Sequence, residues 1–475
     1  MTHRKVLIVN NTYNRNLLLI FCAVIFGVIL PGCIGEEPEK PAKIEAPPSS
    51  SPSPSQPPSP APQLDTTPPP AIGGLLAWNA YDGKVDLRWG KSDVEDFASY
   101  NIYISKKEIT DVTGMTPIQI KDISTNTYQV ANLSNGAKYY FAVTVVDKSG
   151  NENSKVASVY ATPTAMPRGA SDPEIEVNIY RSDKAWAGTT LLPDNHRTGR
   201  PRVIEVNMLG EIIWEYQLPE SLRQYTNPGF DVELLPNNNL LLLLPRKGVF
   251  EINRKGEIVW KYLDAKVSHD ADRLPNGNTL VAFGNEDKIS DAQVKEVNRK
   301  GEVVWKWHAG DHFNKEPFRD IYRQGWTHTN AVLRLSNGNT LISLRNFNFL
   351  VEVDPQGMIV RTIGEGVLKR QHDPEILPNG NILLANHRRP HSAVEIDPST
   401  GRIVWEYPMP DPSTWPVRDA NRLPNGNTLI TAATKIVEVT SDGEVVWQLV
   451  LKGVDIKREE GAERGFYKAE RIAPR

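Results

Sequence analysis

The stretch that decides the fold is QHDPEILPNGN (residues 371–381), because close copies of it recur along the chain. The copies are SHDADRLPNGN (268–278), HTNAVLRLSNGN (328–339) and VRDANRLPNGN (417–427). Asn-Gly between two apolar runs is the strongest short-range signal for a β-hairpin, and it predicts positive φ at both turn residues. The framework repeats while its first polar residue changes, which indicates a repeated scaffold that carries a different side chain at that position in each copy.

Each copy belongs to a longer unit, in which a V-x-E-V strand and a strand ending in Val-Val-Trp follow the hairpin. Six such ends occur: IIWEY (212–216), IVWKY (258–262), VVWKW (303–307), IVRTI (359–363), IVWEY (403–407) and VVWQL (445–449). Four-stranded units at intervals of 42 to 56 residues are typical of a β-propeller. Residues 467–472 copy the start of a first strand, which the earliest unit lacks. We therefore expect an all-β chain with a six-bladed β-propeller over residues 168–475, whose C-terminal strand completes the first blade.

Composition excludes some functions. The 475 residues carry 57 acidic and 54 basic side chains, a net charge of -3, so a broad basic surface for nucleic acid is not expected. The two cysteines, Cys22 and Cys33, both lie near the N-terminus. The predicted folded region therefore has neither a disulfide nor a thiolate metal site.

The first 33 residues have the layout of a signal peptide, with basic residues, an apolar run at 17–30 and then Leu-Pro-Gly-Cys. This ending resembles a prokaryotic lipobox, in which Cys33 is lipidated. The alternative is an uncleaved membrane anchor over residues 17–35. Residues 34–70 are rich in Pro and Ser, which predicts a disordered linker. Either reading predicts an exported protein held at the outer face of a prokaryotic cytoplasmic membrane.

Residues 71–165 alternate between apolar and polar positions in short runs such as KVDLRW (84–89) and KYYFAVTVVD (138–147), as in an antiparallel β-sandwich. The segment resembles a fibronectin type III domain, with Trp89 at the core tryptophan and LSNGAKY (133–139) at the tyrosine corner. The resemblance implies a fold but no activity. A spacer is the simpler interpretation, and an adhesion module is the alternative.

Polar side chains vary at two positions that the repeat makes equivalent, eight residues before the turn glycine and seven after it. First strands line the channel of a propeller, so both positions should meet at one mouth of that channel. The residues concerned are His269, Asn330, His372 and Arg418 before the turn, Arg345 and His387 after it, and His328 two residues before Asn330. Imidazoles at blade-equivalent positions beside arginines predict a ligand-binding or catalytic site.

Four aspartates follow the first position regardless of the residue that occupies it: Asp231, Asp270, Asp373 and Asp419. An acid that recurs in this way is predicted to fix the turn of its own blade. Several imidazoles could instead bind a metal such as zinc. Because arginine is a poor neighbour for a cation, no metal is assigned.

The whole segment 168–475 resembles the arylsulfate sulfotransferase family, which transfers sulfuryl groups without PAPS (3′-phosphoadenosine-5′-phosphosulfate). The matching motifs are His-Asp before Leu-Pro-Asn-Gly (His269), Trp-x-His-x-Asn (326–330), Ser-x-Arg (343–345) and Gln-His before Pro-Asn-Gly (371–372). The resemblance implies that His372 is the nucleophile and forms a sulfohistidine, with His269, His328, Asn330 and Arg345 around the sulfuryl group. It also implies ping-pong transfer from a phenolic sulfate ester to a phenolic acceptor, with no cofactor.

The residues taken alone agree with this chemistry. Sulfuryl transfer resembles phosphoryl transfer, so Arg345 and Arg418 suit the charge on the equatorial oxygens, and a neutral imidazole is a competent nucleophile. His387 and Arg418 are predicted to bind substrate. The alternative is a non-catalytic propeller that binds a ligand or carbohydrate from a surface stalk.

Overall fold

The computed structural model describes residues 65–197, 199–227, 229–411, 416–453 and 464–473. The predicted signal sequence, Cys33 and the linker up to residue 64 lie outside the described residues. The described chain is built almost entirely from antiparallel β-sheets, as expected. Its two helices, Glu220–Tyr225 and Ala309–Asp311, are short 3-10 turns, and no helix among the described residues has the length and apolar character to cross a bilayer.

The first two sheets share one buried core. The three-stranded sheet has the order β1 (Leu76–Trp78), β2 (Val85–Arg88) and β5 (Thr127–Val130). The four-stranded sheet has the order β4 (Ile118–Ile120), β3 (Phe97–Ser105), β6 (Tyr139–Asp147) and β7 (Val159–Ala161). Trp89 is 1% exposed and meets Tyr100 edge-on at 5.5 Å between ring centroids. The Tyr139 hydroxyl accepts a hydrogen bond from the Ser134 amide at 3.1 Å, the contact that a tyrosine corner requires.

Six further sheets follow, and four of them are formed entirely by strands consecutive in the chain. The second sheet contains β12 (Asp231–Leu234), β13 (Leu240–Leu244), β14 (Gly248–Ile252) and β15 (Ile258–Leu263), and the third contains β16 (Ala271–Arg273), β17 (Thr279–Ala282), β18 (Val294–Val297) and β19 (Val303–Trp307). The fourth contains β20 (Thr329–Arg334), β21 (Thr340–Leu344), β22 (Phe349–Val353) and β23 (Ile359–Ile363), and the fifth contains β24 (His372–Ile376), β25 (Ile382–Asn386), β26 (Ser392–Asp397) and β27 (Arg402–Pro408). The sixth contains β28 (Val417–Arg422), β29 (Thr428–Ala432), β30 (Lys435–Val439) and β31 (Val445–Leu451).

The first of the six sheets joins both ends of this segment. It consists of β9 (Thr189–Asp194), β10 (Arg202–Val206), β11 (Ile212–Gln217) and the C-terminal β32 (Glu470–Ile472). β32 pairs antiparallel with β9, which confirms the prediction that the C-terminal strand completes this sheet. No sequence pattern predicted β8 (Ile175–Tyr180), which adds a fifth strand to the last sheet by pairing with β31.

The hairpin turns differ from the sequence prediction in one respect. Gly277 and Gly380 have φ of 86° and 84°, but the preceding asparagines are not among the residues with positive φ. The Gly277 amide donates to the Leu274 carbonyl, which is the bond of a type I turn with Pro275 at its first central position. Because proline fixes φ near -65°, a type I′ turn with two positive φ values is not available, and only the glycine takes the left-handed conformation.

Two further motif residues bind neighbouring sheets together. Five of the six units end in a tryptophan that donates its indole N–H to a turn carbonyl of the next sheet, as Trp260 does to Arg299 at 2.9 Å. The arginine before the Leu-Pro-Asn-Gly turn pairs with the V-x-E-V glutamate of the preceding sheet, as Arg422 does with Glu395 at 2.7 Å. In the same way Trp447 of the last sheet donates to Met208 of the first at 3.0 Å. The contacts therefore run from sheet to sheet and return from the sixth to the first.

The two N-terminal sheets also pack on this array. Trp78 stacks on Trp186 with ring centroids 6.2 Å apart, and the Asn79 side chain donates to the Ala185 carbonyl at 2.7 Å. Trp78 lies in the same buried cluster as Leu429 and Trp447. The domain predicted as a spacer thus contributes an aromatic side chain to the core of the sixth sheet.

Candidate functional site

Irregularities in three first strands place the predicted site residues. The pairing register shifts between Thr329 and Ala331, between His372 and Glu375, and between Val417 and Asp419. A bulge of this kind leaves one residue out of the ladder and re-aims its side chain. Asn330 and Arg418 are the residues left out of the ladder at two of these shifts, and His372, which pairs with Ala385, borders the third.

Backbone strain is concentrated at the same place. His328, Arg370 and Asp373 have φ of 48°, 45° and 46°, in the left-handed region that side chains other than glycine rarely adopt. The His328 amide is held by Asp287 Oδ1 at 3.1 Å, and Asp287 is fully buried. Such conformations persist only where the surroundings enforce them, and they cluster at functional sites.

The imidazoles form a continuous row. His269 Nε2 lies 2.9 Å from His328 Nε2. The His372 ring stacks on His387 at 4.5 Å between centroids, and His387 stacks on His391 at 4.7 Å. The Tyr467 ring lies between the His269–His328 pair and the three stacked histidines, with its centroid 5.7 Å from that of His269 and 6.5 Å from that of His372.

Hydrogen bonds to backbone carbonyls fix the tautomers of two of these rings. His372 Nδ1 lies 2.9 Å from the Arg370 carbonyl oxygen, which can only accept, so Nδ1 carries the proton and Nε2 carries the lone pair. His328 Nδ1 likewise donates to the Gln324 carbonyl at 3.0 Å. Its Nε2 is then an acceptor, and the proton between the facing Nε2 atoms belongs to His269.

Burial keeps these imidazoles neutral. It lowers the pKa of His372 well below its ordinary value, and the neighbouring His387 and Arg345 lower it further. Burial and Arg345 lower the pKa of His328 to about 3. The pKa values of His269 and His387 are lowered in the same way, first by burial and then by an adjacent histidine. The Arg345 charge acts on all four rings, so the guanidinium lies among them as predicted.

The other predicted residues have structural partners as well. Asn330 Nδ2 donates to the Gln371 carbonyl at 2.8 Å, and Gln371 Nε2 donates to the Phe349 carbonyl at 2.8 Å. Arg418 is 2% exposed, donates to the Phe466 carbonyl at 2.7 Å, and lies 5.3 Å from the Tyr467 ring centroid. Arg418 therefore holds the segment that leads into β32 against the site.

The recurring aspartates differ in role. Asp231 accepts from the Val232 amide at 2.8 Å and Asp419 accepts from Asn421 Nδ2 at 2.9 Å, both within their own sheets. Asp270 accepts from the Val332 amide of the next sheet at 2.7 Å, so it links two sheets instead of closing its own turn. Lys468 Nζ lies 3.3 Å from Asp373 and 3.7 Å from Asp231. Asp270 and Asp419 also act on the charge of this lysine. First strands converge here, which brings the acids close enough to require a shared cation.

Two cavities approach the imidazole row. A cavity of about 10 Å³ is enclosed by His269, Asn330, His372, Tyr467 and the acids around Lys468, and it has about the volume that holds one water molecule. A cavity of about 900 Å³ opens beside His387 and His391. The second has the size of a small-molecule site.

The structure brings together His269, His328, Asn330, Arg345, His372, His387 and Arg418, all of which the repeat positions predicted. Sequence reasoning missed His391 and Lys468 as members of the site, and it placed Tyr467 at the equivalent first-strand position without assigning it to the site. His391 follows His387 by four residues, which was an available signal. Lys468 directly follows Tyr467, at the position that the recurring aspartates occupy in the other units, which was an available signal.

One acidic cluster lies elsewhere. Carboxylate oxygens of Asp65, Asp96 and Asp147 lie within 4.8 Å of one another. Asp147 already accepts from the amides of Ser149 and Asn151 at 2.9 Å each, so its carboxylate serves the turn after β6.

Residues 191–367 match the model of the family described as Arylsulfotransferase (ASST). The matched segment contains His269, His328, Asn330 and Arg345 and ends before His372. The match confirms the resemblance to arylsulfotransferases over residues 191–367.

Other comparisons cover less or align less well. An amylopullulanase of Thermoanaerobacterium saccharolyticum is 30% identical over 166 residues, which are 35% of this chain and 11% of that protein. This chain thus spans about a tenth of the length of that curated relative. A protein of unknown function from Bacteroides caccae covers 55% of this chain and 93% of its own at 22% identity and a TM-score of 0.41. Virginiamycin B lyase from Staphylococcus aureus covers 59% and 89% at 12% identity and a TM-score of 0.37.

Proposed function

We propose that this protein is an exported aryl sulfotransferase that moves a sulfuryl group from a phenolic sulfate ester to a phenolic acceptor through a sulfohistidine at His372. The observation that carries the proposal is the tautomer of His372. Its Nδ1 proton is engaged by the Arg370 carbonyl, so the lone pair stands at Nε2 on a buried ring whose pKa is lowered. A neutral imidazole with a free lone pair is the form that attacks an electrophile.

In the first half-reaction, His372 Nε2 attacks the sulfur of the donor. The N–S bond forms as the S–O bond to the aryl group breaks, and the electron pair leaves with the phenolate. Arg345 stabilises the negative charge of the sulfuryl oxygens, because its charge already acts on His372 and on the neighbouring His328. The phenolate takes a proton from solvent through the His269–His328 pair, which is joined by a shared proton.

In the second half-reaction, the acceptor phenol gives its proton to the same pair as its oxygen attacks the sulfur. The N–S bond breaks and its electron pair returns to His372 Nε2. No atom changes oxidation state, so no cofactor is required. Asn330 keeps the backbone at Gln371 in place, and His387 supports the nucleophile by stacking on it.

We further propose that the six sheets form a six-bladed β-propeller and that residues 71–165 form a fibronectin type III domain. The return of the Trp447 contact to Met208 and the pairing of β32 with β9 support the first assignment. The Tyr139 contact with Ser134 supports the second. Attachment to the membrane through Cys33 or an uncleaved helix rests on the N-terminal sequence.

The test is incubation of the purified protein with 4-nitrophenyl sulfate, with and without phenol, followed by release of 4-nitrophenol and by intact-mass measurement. Without acceptor, we expect a mass increase of one sulfuryl group on the wild type. His372→Asn should lose this adduct, and its kcat should fall at least about a thousandfold. His308→Asn is the matched control, since its ring has no described side-chain partner in the site.

Turnover that survives in His372→Asn would overturn the assignment of the nucleophile. If no aryl sulfate is consumed and no adduct forms on the wild type, the enzyme proposal fails. Tight binding of a glycan or another ligand would then favour the non-catalytic propeller.

A further inference from the structure

The cavity beside His387 is strongly basic, although the chain as a whole has a net charge of -3. Its described lining contains five permanent cations and no aspartate or glutamate. The cations are Arg323, Lys369, Arg370, Arg388 and Arg389. A phenyl sulfate carries one negative charge, and Arg345 already lies among the imidazoles to meet it. The five additional cations exceed what a singly charged donor requires.

The cations come from three separate segments that the fold holds together. Arg323 precedes β20, Lys369 and Arg370 precede β24, and Arg388 and Arg389 lie between β25 and β26. Like charges repel one another in the empty protein. Among the ion pairs of the described residues, none includes Arg323, Lys369, Arg388 or Arg389. A bound anion is therefore the group that would relieve this repulsion.

Buried asparagines hold the three segments in place. Asn386 is 1% exposed and its Oδ1 accepts from the Lys369 amide at 2.9 Å and from the Arg388 amide at 3.3 Å. Asn346 Nδ2 donates to the carbonyl of Arg323 at 3.1 Å. The backbone that carries the cations is thus fixed before any ligand arrives, which lowers the entropic cost of binding.

The cavity lies next to His372 and is separated from it by the ring of His387. Its wall includes His387, whose ring stacks directly on His372, and Arg370, whose carbonyl accepts the His372 Nδ1 proton. Ile321 and Leu368 line the same space and offer apolar contact to an aromatic ring. A donor with its sulfuryl group at His372 would therefore extend its aryl part among the cations.

We infer that the substrates of this site are aromatic sulfates and phenols that bear further anionic groups, such as carboxylates or sulfonates, on the aryl part. The inference rests on the proposed sulfotransferase function and specifies its substrate class. The additional anions would pair with the arginines and Lys369, while the ring contacts Ile321 and Leu368.

The test compares two fluorogenic donors whose phenols are of similar acidity, 4-methylumbelliferyl sulfate and the sulfate ester of the trisulfonated phenol pyranine. We expect kcat/KM to favour the pyranine ester at least about tenfold at low ionic strength and the preference to shrink as salt is added. The double variant Arg323→Gln/Arg389→Gln should reduce the ratio of the two kcat/KM values about tenfold. Lys300→Gln, an exposed cation on a distant turn, should leave the ratio unchanged.

Equal kcat/KM values for the two donors, or a ratio that the double variant does not alter, would overturn the inference. Loss of turnover with both donors would instead contradict the sulfotransferase function. Fluorescence anisotropy of pyranine, compared with 4-methylumbelliferone, separates the two failures. Salt-sensitive pyranine binding that weakens in the double variant supports the charge preference whatever the turnover, and binding no tighter than that of 4-methylumbelliferone refutes it.

Discussion

Replacing Lys468 with methionine should destabilise the protein by about 3 kcal/mol at pH 8. The lysine lies 3.3 Å from Asp373 and 3.7 Å from Asp231, and at an effective dielectric constant of about 20 each contact is worth about 5 kcal/mol of attraction. Desolvation of the lysine offsets much of that attraction. Removing one partner of a buried pair typically costs about 3–5 kcal/mol, and the lower end applies because the Lys468 side chain is 18% exposed.

The stability that Lys468→Met loses should be smaller at low pH than at pH 8. Burial and the neighbouring Asp373 raise the pKa of Asp231 to about 6, while Lys468 lowers it. Without the lysine this folded-state pKa rises further above its unfolded value, so the folded variant binds protons that the unfolded chain does not. Its stability then falls as pH rises. The difference in the free energy of unfolding between the variant and the wild type should shrink towards pH 5, by about 1.4 kcal/mol per pH unit for each extra proton that the folded variant binds.

Thermal unfolding followed by circular dichroism measures the effect. An unfolding entropy of about 2.1 cal/mol/K per residue over roughly 300 residues from β8 to β32 gives about 0.6 kcal/mol per degree, so the midpoint should fall by about 5 °C. Lys300→Met controls for a lysine on an exposed turn, and Lys468→Arg should retain most of the stability. A midpoint for Lys468→Met within about 1 °C of the wild type at pH 8, or a loss that does not change with pH, would refute the reasoning.

Two further predictions concern the site and the contacts between sheets. Because burial lowers the pKa of His372 well below its ordinary value, kcat/KM for 4-nitrophenyl sulfate should stay level as pH falls through about 6.5, and a midpoint near the ordinary imidazole value would contradict the assignment. Trp447→Phe removes the bond from the last sheet to Met208 at a fully buried position and should cost about 1–3 kcal/mol in chemical denaturation. Trp260→Phe removes the same type of bond at an exposed position and should cost less, so equal losses would argue against burial as the cause.

Much of the fold follows from local patterns. The Leu-Pro-Asn-Gly-Asn turns, the V-x-E-V strands and the terminal tryptophans fix the strands within each sheet, since each signal acts over a few residues. The incomplete first unit and the surplus strand at the C-terminus likewise predicted the pairing of β32 with β9. The type I′ assignment was wrong, because Asn-Gly was weighed without the preceding proline.

The candidate site was predictable to the extent that the repeat made its positions equivalent. Residues at the same place in successive units must lie side by side when the units assemble, so His269, His372, Arg345 and Arg418 could be grouped by counting. His391 was missed because it follows the hairpin at a position that no other unit fills with a comparable residue.

By itself, then, the sequence determined the repeated sheets, the pairing of consecutive strands within them and the residues that converge on His372, because these depend on short-range signals and on repetition. Only the tertiary structure decided which nitrogen of His372 carries the lone pair, since that follows from the Arg370 carbonyl in a strained turn. It also decided that four aspartates share Lys468, and that cations from three loops line one cavity. These features join segments that are distant in the chain, and no local pattern encodes the distance between them.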